Sequence, residues 1–193
     1  MSLRRLTAPR PLVVLAAGIA SASLMFAGTG AAAAPPAAPA ETAAPAAPAE
    51  TATASFPGPG AVRVQPGDAQ AMAGGAIRNV NTGRCIDDSA AFGLREHACN
   101  GLNYQDWQLY GQNGNWVLRN ANTGRCIDDS GAFGLREHPC NNLNYQRWEL
   151  WRNSNGTATF KNENTGRCID DSGAFGLREH PCNGLNYQQW YGQ

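Results

Sequence analysis

Residues able to do chemistry recur three times in this chain with the same spacing. An aspartate lies two positions after the first cysteine of each pair and a histidine two positions before the second: Asp87 and His97, Asp128 and His138, Asp170 and His180. A carboxylate beside an imidazole is a candidate acid–base pair. Both groups also bind hydroxyls through hydrogen bonds. Three equal copies favour binding, because catalysis generally needs one pocket with several convergent groups.

These residues belong to a 29-residue segment that occurs three times, at 79–107, 120–148 and 162–190, with 24 of 29 positions the same in all copies. The copies begin 41 and 42 residues apart, which is typical of a repeat architecture. Each contains β-branched and aromatic residues, separated by Asn-Thr-Gly turns, and none has a helical period. We predict four short strands per repeat, about twelve in all, in an all-β barrel or sandwich.

The six cysteines all lie in the repeats, in pairs 14 residues apart. The simplest of the fifteen possible connectivities is a disulfide within each repeat. Zinc is disfavoured, because the close Cys-x-x-Cys or Cys/His spacing of structural zinc sites is missing. We therefore expect three local disulfides and no metal or cofactor: Cys85 with Cys99, Cys126 with Cys140, and Cys168 with Cys182.

The residues between the paired cysteines predict an antiparallel hairpin. If the bonded cysteines are directly opposed, Asp87 faces His97 and Ser89 faces Arg95. Side chains alternate along a strand, so all four lie on the side of the disulfide. Each repeat would then carry one polar surface. The corresponding residues of the other copies are Asp128, His138, Ser130 and Arg136, and Asp170, His180, Ser172 and Arg178.

The same register places Glu96 opposite Asp88, which would be a carboxylate pair of the kind that a hydrolase uses. Like charges in direct opposition are destabilising, so we expect either a solvated hairpin tip or intervening arginines. No serine or cysteine nucleophile has a candidate base beside it, since every cysteine is expected in a bridge. We predict that the protein is not an enzyme.

The residues before the repeats predict export. Residues 1–34 combine Arg4, Arg5 and Arg10 with an apolar run and a small-residue cleavage region, as a signal peptide does. Residues 35–74 are rich in Ala, Pro and Thr and predict a disordered linker. Residues 75–193 are long enough for one domain, with repeats at about 75–114, 115–155 and 156–193. We expect a secreted extracellular monomer with no membrane span.

The charge balance disfavours nucleic acid as a partner. The whole chain has 15 basic and 15 acidic residues, and removal of the signal would leave a net charge of −3. A phosphate-binding surface needs a basic stripe, and the repeats have none.

The pattern Asn-Thr-Gly-Arg-Cys-Ile-Asp, followed by Cys-Asn and Gln-x-Trp, resembles the ricin-B-type or QxW carbohydrate-binding family across the whole repeat region. The resemblance implies a β-trefoil of three four-stranded units, with a galactose- or xylose-type sugar site in each. It also implies that Asp87, Asp128 and Asp170 accept hydrogen bonds from sugar hydroxyls. The family's stacking aromatic is replaced here by His97, His138 and His180, so affinity per site should be modest.

The remaining site residues depart from the family's pattern or support the core. The position before the Gln-x-Trp glutamine, often asparagine in the family, is Tyr104, Tyr145 or Tyr187 here. The glutamines (Gln105, Gln146 and Gln188) and tryptophans (Trp107, Trp148 and Trp190) are predicted to be structural. A sequence-level alternative is a trefoil scaffold, inhibitor-like, that binds a protein and has non-functional sugar sites. Weak equivalent sites engaging one polysaccharide together are the preferred prediction.

Overall fold

The computed structural model describes residues 55–68 and 74–192. The predicted signal peptide and most of the predicted linker lie outside these residues. The described residues form thirteen strands: β1 (Val62–Val64), β2 (Ile77–Asn79), β3 (Arg84–Ser89), β4 (Gly93–Ala98), β5 (Trp107–Gln112), β6 (Asn115–Asn120), β7 (Arg125–Asp129), β8 (Leu135–Pro139), β9 (Trp148–Arg152), β10 (Ala158–Asn162), β11 (Arg167–Ser172), β12 (Gly176–Pro181) and β13 (Trp190–Gly192).

Six strands form the barrel of a β-trefoil. Antiparallel pairing runs in turn through β2, β13, β10, β9, β6 and β5. A bridge between Gly75 and Trp107 then joins β5 to the residues just before β2. The other strands of the repeats pair as three hairpins, β3–β4, β7–β8 and β11–β12. The predicted all-β trefoil of three four-stranded units is confirmed.

The core contains one tryptophan from each repeat. Trp107, Trp148 and Trp190 are fully buried. Each indole N–H donates to a backbone carbonyl of its own repeat, such as that of Ile86 at 2.9 Å from Trp107. The buried polar end of the ring is thereby satisfied, while its apolar area packs against the isoleucines of the hairpins.

The asparagine that begins each 29-residue segment forms a hydrogen bond to a neighbouring repeat. The side-chain amide of Asn120 donates to the Tyr104 carbonyl of the preceding repeat at 2.8 Å. Its oxygen accepts from the backbone N–H groups of Asn122 and Thr123, closing the turn before β7. Asn79 and Asn162 make the corresponding bonds. One amide thus fixes a local turn and a contact between repeats.

The three predicted disulfides are confirmed, but the hairpin register predicted from them is wrong by two residues. Cys85 is bonded to Cys99. Its directly opposed residue is nevertheless His97, and Asp87 opposes Arg95. The disulfide therefore crosses the hairpin diagonally, with a Cα–Cα distance of 5.1 Å. This places Asp87 beside Arg95 instead of His97.

The strand β1 lies within the residues predicted as a linker and is part of the sheet. β1 pairs with β9 in antiparallel register. Val64 is buried in the core, and its carbonyl accepts a hydrogen bond from the Trp116 indole at 2.9 Å. Upstream, the Phe56 ring packs edge-on against Trp151. The folded unit therefore includes residues well before position 75. Among the described residues, no helix is long and apolar enough to cross a membrane.

Candidate binding site

Each hairpin contains a buried ion pair between an aspartate and an arginine directly opposite it. Arg95 Nε donates to Asp87 Oδ1 at 3.0 Å, and the Asp87 side chain is only 2% exposed. The second and third repeats have the same contact at 3.1 and 2.9 Å, between Arg136 and Asp128 and between Arg178 and Asp170. The arginines remain about one-quarter to one-third exposed. The pair therefore joins a buried acid to a base that reaches the surface.

The Gln-x-Trp glutamine holds the other carboxylate oxygen. Gln105 Nε2 donates to Asp87 Oδ2 at 3.2 Å and to the Ala98 carbonyl at 2.9 Å. Its Oε1 accepts from the backbone N–H of Asn100 at 2.9 Å. Gln146 and Gln188 make the same three bonds. The glutamine thus orients the aspartate and satisfies the backbone where the chain leaves the hairpin.

Next to each aspartate–arginine pair lies an exposed phenylalanine. The Arg95 guanidinium carbon lies 4.4 Å from the Phe92 ring centroid, which is a cation–π contact. Arg136 with Phe133 and Arg178 with Phe175 repeat it at 4.5 and 4.6 Å. The three rings are 60–71% exposed. The signal was available in the sequence, since a phenylalanine precedes each of these arginines by three residues.

The aspartate, arginine and phenylalanine of the first repeat line a cavity of about 370 Å³ at the first hairpin. Its lining includes Ser89 and Tyr104 and is completed by Asn122 of the second repeat. The Ser89 side chain is buried, and its hydroxyl has no protein partner among the described residues. The cavity therefore has an aromatic wall, a guanidinium and an unpaired hydroxyl. Its other principal lining residues are Asp87, Phe92, Arg95, Asn100 and Leu102.

The histidines are placed elsewhere on the hairpin. His97 lies opposite Cys85 and its Nδ1 is 3.0 Å from the Ala98 carbonyl oxygen. It is not part of the lining of the 370 Å³ cavity. His138 and His180 make the same local contact. The structure thus brings together the predicted aspartate, arginine and tyrosine of the first repeat, but not its histidine.

The second aspartate of each repeat is buried. Asp88 accepts a hydrogen bond from the Thr123 hydroxyl of the next repeat. Burial raises the pKa of the Asp88 carboxyl above its usual range, and the Thr123 bond opposes this shift. Asp129 with Thr165 and Asp171 with Thr82 follow the same pattern. These acids therefore connect repeats and are not available to a ligand. In the described part of the chain, no group of three or more His, Cys, Asp or Glu residues is placed to hold a metal ion.

The sequence from residue 73 to residue 190 matches the family model of the ricin-type β-trefoil lectin domain. The chain belongs to this family. No curated protein matches the chain. This membership supports a carbohydrate-binding β-trefoil.

Solved structures share the fold at low sequence identity. One is a GlcNAcα1-4Gal-releasing endo-β-galactosidase from Clostridium perfringens, with 17% identity and a TM-score of 0.56 over 61% of this chain and 31% of that one. The designed three-fold symmetric protein ThreeFoil has 18% identity and a TM-score of 0.54, over 60% of this chain and 94% of its own. The hemolytic lectin CEL-III has 23% identity and a TM-score of 0.53, over 64% and 31%. The chain thus spans less than a third of the endo-β-galactosidase.

Proposed function

We propose that the protein is a secreted, monomeric lectin that binds galactose- or xylose-type glycans at three equivalent hairpin sites. The observation that carries the proposal is the repeated unit of a buried aspartate, a partly exposed arginine and an exposed phenylalanine. Secretion is supported by the three disulfides, which persist in oxidising compartments, and by the export-like residues 1–34. No catalytic activity is proposed.

Each group of the unit has a role in this proposal. The exposed face of Phe92 stacks against the apolar face of a sugar ring. Arg95 uses Nε for Asp87 and directs its terminal N–H groups to sugar hydroxyls. Each Asp87 oxygen accepts one internal hydrogen bond and keeps capacity for another, so a hydroxyl that enters beside Arg95 reaches the carboxylate. Tyr104 borders the same cavity.

Weak single sites fit this geometry, because one phenylalanine face gives a small contact area. A millimolar site corresponds to about −4 kcal/mol. Engagement of two or three sites on one polymer raises the apparent affinity through effective concentration, without any new contact. Polysaccharide should therefore bind better than monosaccharide.

The test uses a glycan array and an exposed-aromatic variant. Phe92→Ala, Phe133→Ala and Phe175→Ala together should abolish retention on a responsive glycan while the fold is kept, because these rings are mostly solvent-exposed. Tyr191→Ala removes another exposed aromatic ring, outside the hairpins, and should leave retention unchanged. Equal retention by the triple variant and the unaltered protein would remove the hairpins from the site.

A protein-binding scaffold is the second candidate, and one observation favours it. Both oxygens of Asp87 already have protein partners in this structure. The array separates the two functions: a lectin gives signal on a sugar, whereas a scaffold gives none on plant, bacterial or host glycans.

A further inference from the structure

A second cavity, of about 710 Å³, lies between the first and second repeats and shares no residue with the aspartate–arginine–phenylalanine units. It is bordered by β5, β6 and the Cys126–Cys140 disulfide. Its volume falls within the range of roughly 300–1,000 Å³ that is common for ligand pockets. We call it the Arg119 groove. The lining residues that bear on its chemistry are Tyr110, Val117, Arg119, Arg125, Pro139 and Asn142.

The groove carries an unpaired positive charge. Arg119 Nε donates to the Gly124 carbonyl at 3.2 Å, and no described carboxylate forms an ion pair with this guanidinium. Its directly opposed neighbour in the sheet is the neutral Gln108. In the third repeat the corresponding residue is Lys161, which pairs with Glu149 at 3.7 Å. The first repeat therefore places a neutral glutamine opposite Arg119, where the second repeat places a glutamate opposite Lys161.

One wall of the groove is an open aromatic ring. Tyr110 is 45% exposed on β5. The corresponding residue on β9 is Trp151, against which the Phe56 ring packs at a centroid distance of 5.6 Å. The segment that contains β1 thus contacts the aromatic residue of one repeat, whereas Tyr110 keeps an exposed surface that can stack on a sugar ring.

The sequence of the second repeat departs from the others at the groove. Asn142 occupies a position where the other copies have Gly101 and Gly184. All three residues have a positive φ, which is 64° for Asn142. Glycine adopts this conformation without steric cost, and asparagine is among the few other residues that tolerate it. The substitution adds an amide to the groove lining at the expense of a conformation that glycine fits better.

From these observations we infer that the Arg119 groove binds an acidic sugar, a ring that carries a carboxylate or a sulfate group, independently of the hairpin sites. The guanidinium forms charge-assisted hydrogen bonds with the anionic group. Tyr110 stacks on the ring, and the Asn142 amide hydrogen-bonds to its hydroxyls. Arg125 adds positive charge at the groove but is already paired with Glu137 at 3.1 Å.

The experiment is an NMR titration of the 15N-labelled protein with trigalacturonate, a sulfated galactotriose and neutral galactotriose. The background is the triple phenylalanine variant, so that binding at the hairpins does not contribute. At least one acidic sugar should shift the amide signals of Gly124 and Asn142, and the neutral trisaccharide should not. The stronger of the two acidic probes identifies carboxylate or sulfate as the preferred group.

Matched arginine variants then test the role of Arg119 in binding the acidic sugar. Arg119→Gln should weaken acidic-sugar binding about ten-fold or more, the size of one charge-assisted hydrogen bond. Arg119→Lys keeps the positive charge and should lose less affinity for the acidic sugar than Arg119→Gln does. Arg78→Gln removes the equivalent arginine of the first repeat, which makes the same bond to Gly83 at 3.1 Å, and should have no effect. The inference is overturned if neutral and acidic sugars bind equally, if neither acidic sugar shifts these signals, or if Arg78→Gln causes the same loss.

Discussion

The Glu137 carboxylate of the second repeat accepts a hydrogen bond from the backbone N–H of Leu94 in the first repeat, at 3.1 Å. Glu179 accepts from Leu135 and Glu96 from Leu177 at the same distance, so the three hairpins are linked in a closed cycle. Each glutamate also pairs with an arginine of its own repeat at 3.0–3.2 Å. The like-charge opposition expected for Glu96 and Asp88 does not occur, because Glu96 lies opposite Ile86.

Glu137→Ala should destabilise the fold by about 1–3 kcal/mol, the usual cost of leaving a shielded N–H without its acceptor. Glu137→Gln keeps an oxygen that accepts from Leu94 and should cost less. Urea unfolding of both variants measures the difference. Equal losses for Ala and Gln would indicate that the ion pair with Arg125, and not the contact with Leu94, carries the stabilisation.

Asp128→Asn should both destabilise the domain and reduce glycan retention. The carboxylate accepts from Arg136 Nε on one oxygen and from Gln146 Nε2 on the other. An amide presents one oxygen and one NH2 group, so one of these donors would face another donor in a buried site. Removal of one partner of a buried pair costs about 3–5 kcal/mol when the other stays uncompensated, and partial exposure of Arg136 places the loss at or below the lower end.

The control for this variant is Asp106→Asn, at an exposed position of the first repeat. It makes the same chemical change without a buried partner and should alter neither the thermal midpoint nor the retention. If Asp128→Asn changed neither the thermal midpoint nor the glycan retention, the ion pair would contribute nothing to stability. The proposal that Asp128 orients Arg136 for a sugar would then be contradicted.

The repeat pattern predicted about twelve short strands in an all-β barrel or sandwich, because Trp107 and its equivalents recur at the period of a four-stranded unit. The trefoil itself was implied by the resemblance to the ricin-B-type family. The register was not predictable from the same residues. A disulfide forms between directly opposed and between diagonal positions, and Cys99 lies one residue beyond the end of β4. An error of two residues keeps every side chain on its expected face, so the polar surface was predicted on the correct side with the wrong neighbours.

The contacts between repeats also could not be predicted from the sequence. The Thr123–Asp88 bond joins residues 35 positions apart, and nothing in either local pattern indicates the pairing. β1 was missed because Val62–Val64 is short and follows an Ala/Pro-rich stretch, and its hydrogen bond from Trp116 joins residues 52 positions apart. Tertiary contacts, not local propensity, determine such a strand.

The pH dependence of stability should reflect Asp88, Asp129 and Asp171. Burial raises the pKa of all three carboxyls above the unfolded value of 3.8. Between the unfolded and folded pKa values, the folded state binds more protons than the unfolded state. The free energy of unfolding should therefore fall as the pH rises through this window. Changing all three aspartates to Asn should remove this decrease in the free energy of unfolding with rising pH. The amide oxygen still accepts from threonine, and no buried charge forms.

Urea unfolding at several pH values above 3.8 measures this slope. Glu163 provides a control of opposite sign. Its hydrogen bond from Arg147 lowers the pKa of the Glu163 carboxyl below 4.5, so its contribution is lost only as the pH falls through that lower value. Glu163→Gln should therefore leave in place the fall in stability with rising pH that the three aspartates contribute. A slope that persists in the triple Asn variant would assign the effect to other groups.

Glycan retention should be nearly constant between about pH 5 and 8, the interval in which an ordinary histidine changes charge. The reason is that His97 does not line the cavity that contains Asp87 and Phe92. His97→Ala, His138→Ala and His180→Ala together should retain glycan as the unaltered protein does. Retention that drops across this interval, and no longer does so in the triple alanine variant, would return the histidines to the site.

The strand β1 should be part of the stable fold although it precedes residue 73, where the family match begins. Val64 is 2% exposed and Val62, on the same strand, is 58% exposed. Val64→Ala should therefore cost about 1–2 kcal/mol from lost burial and the cavity left behind, and Val62→Ala should cost almost nothing. Urea unfolding compares the two. Equal stabilities would mean that β1 is detached in solution, and the indole N–H of Trp116 would then have to find water in place of the Val64 carbonyl.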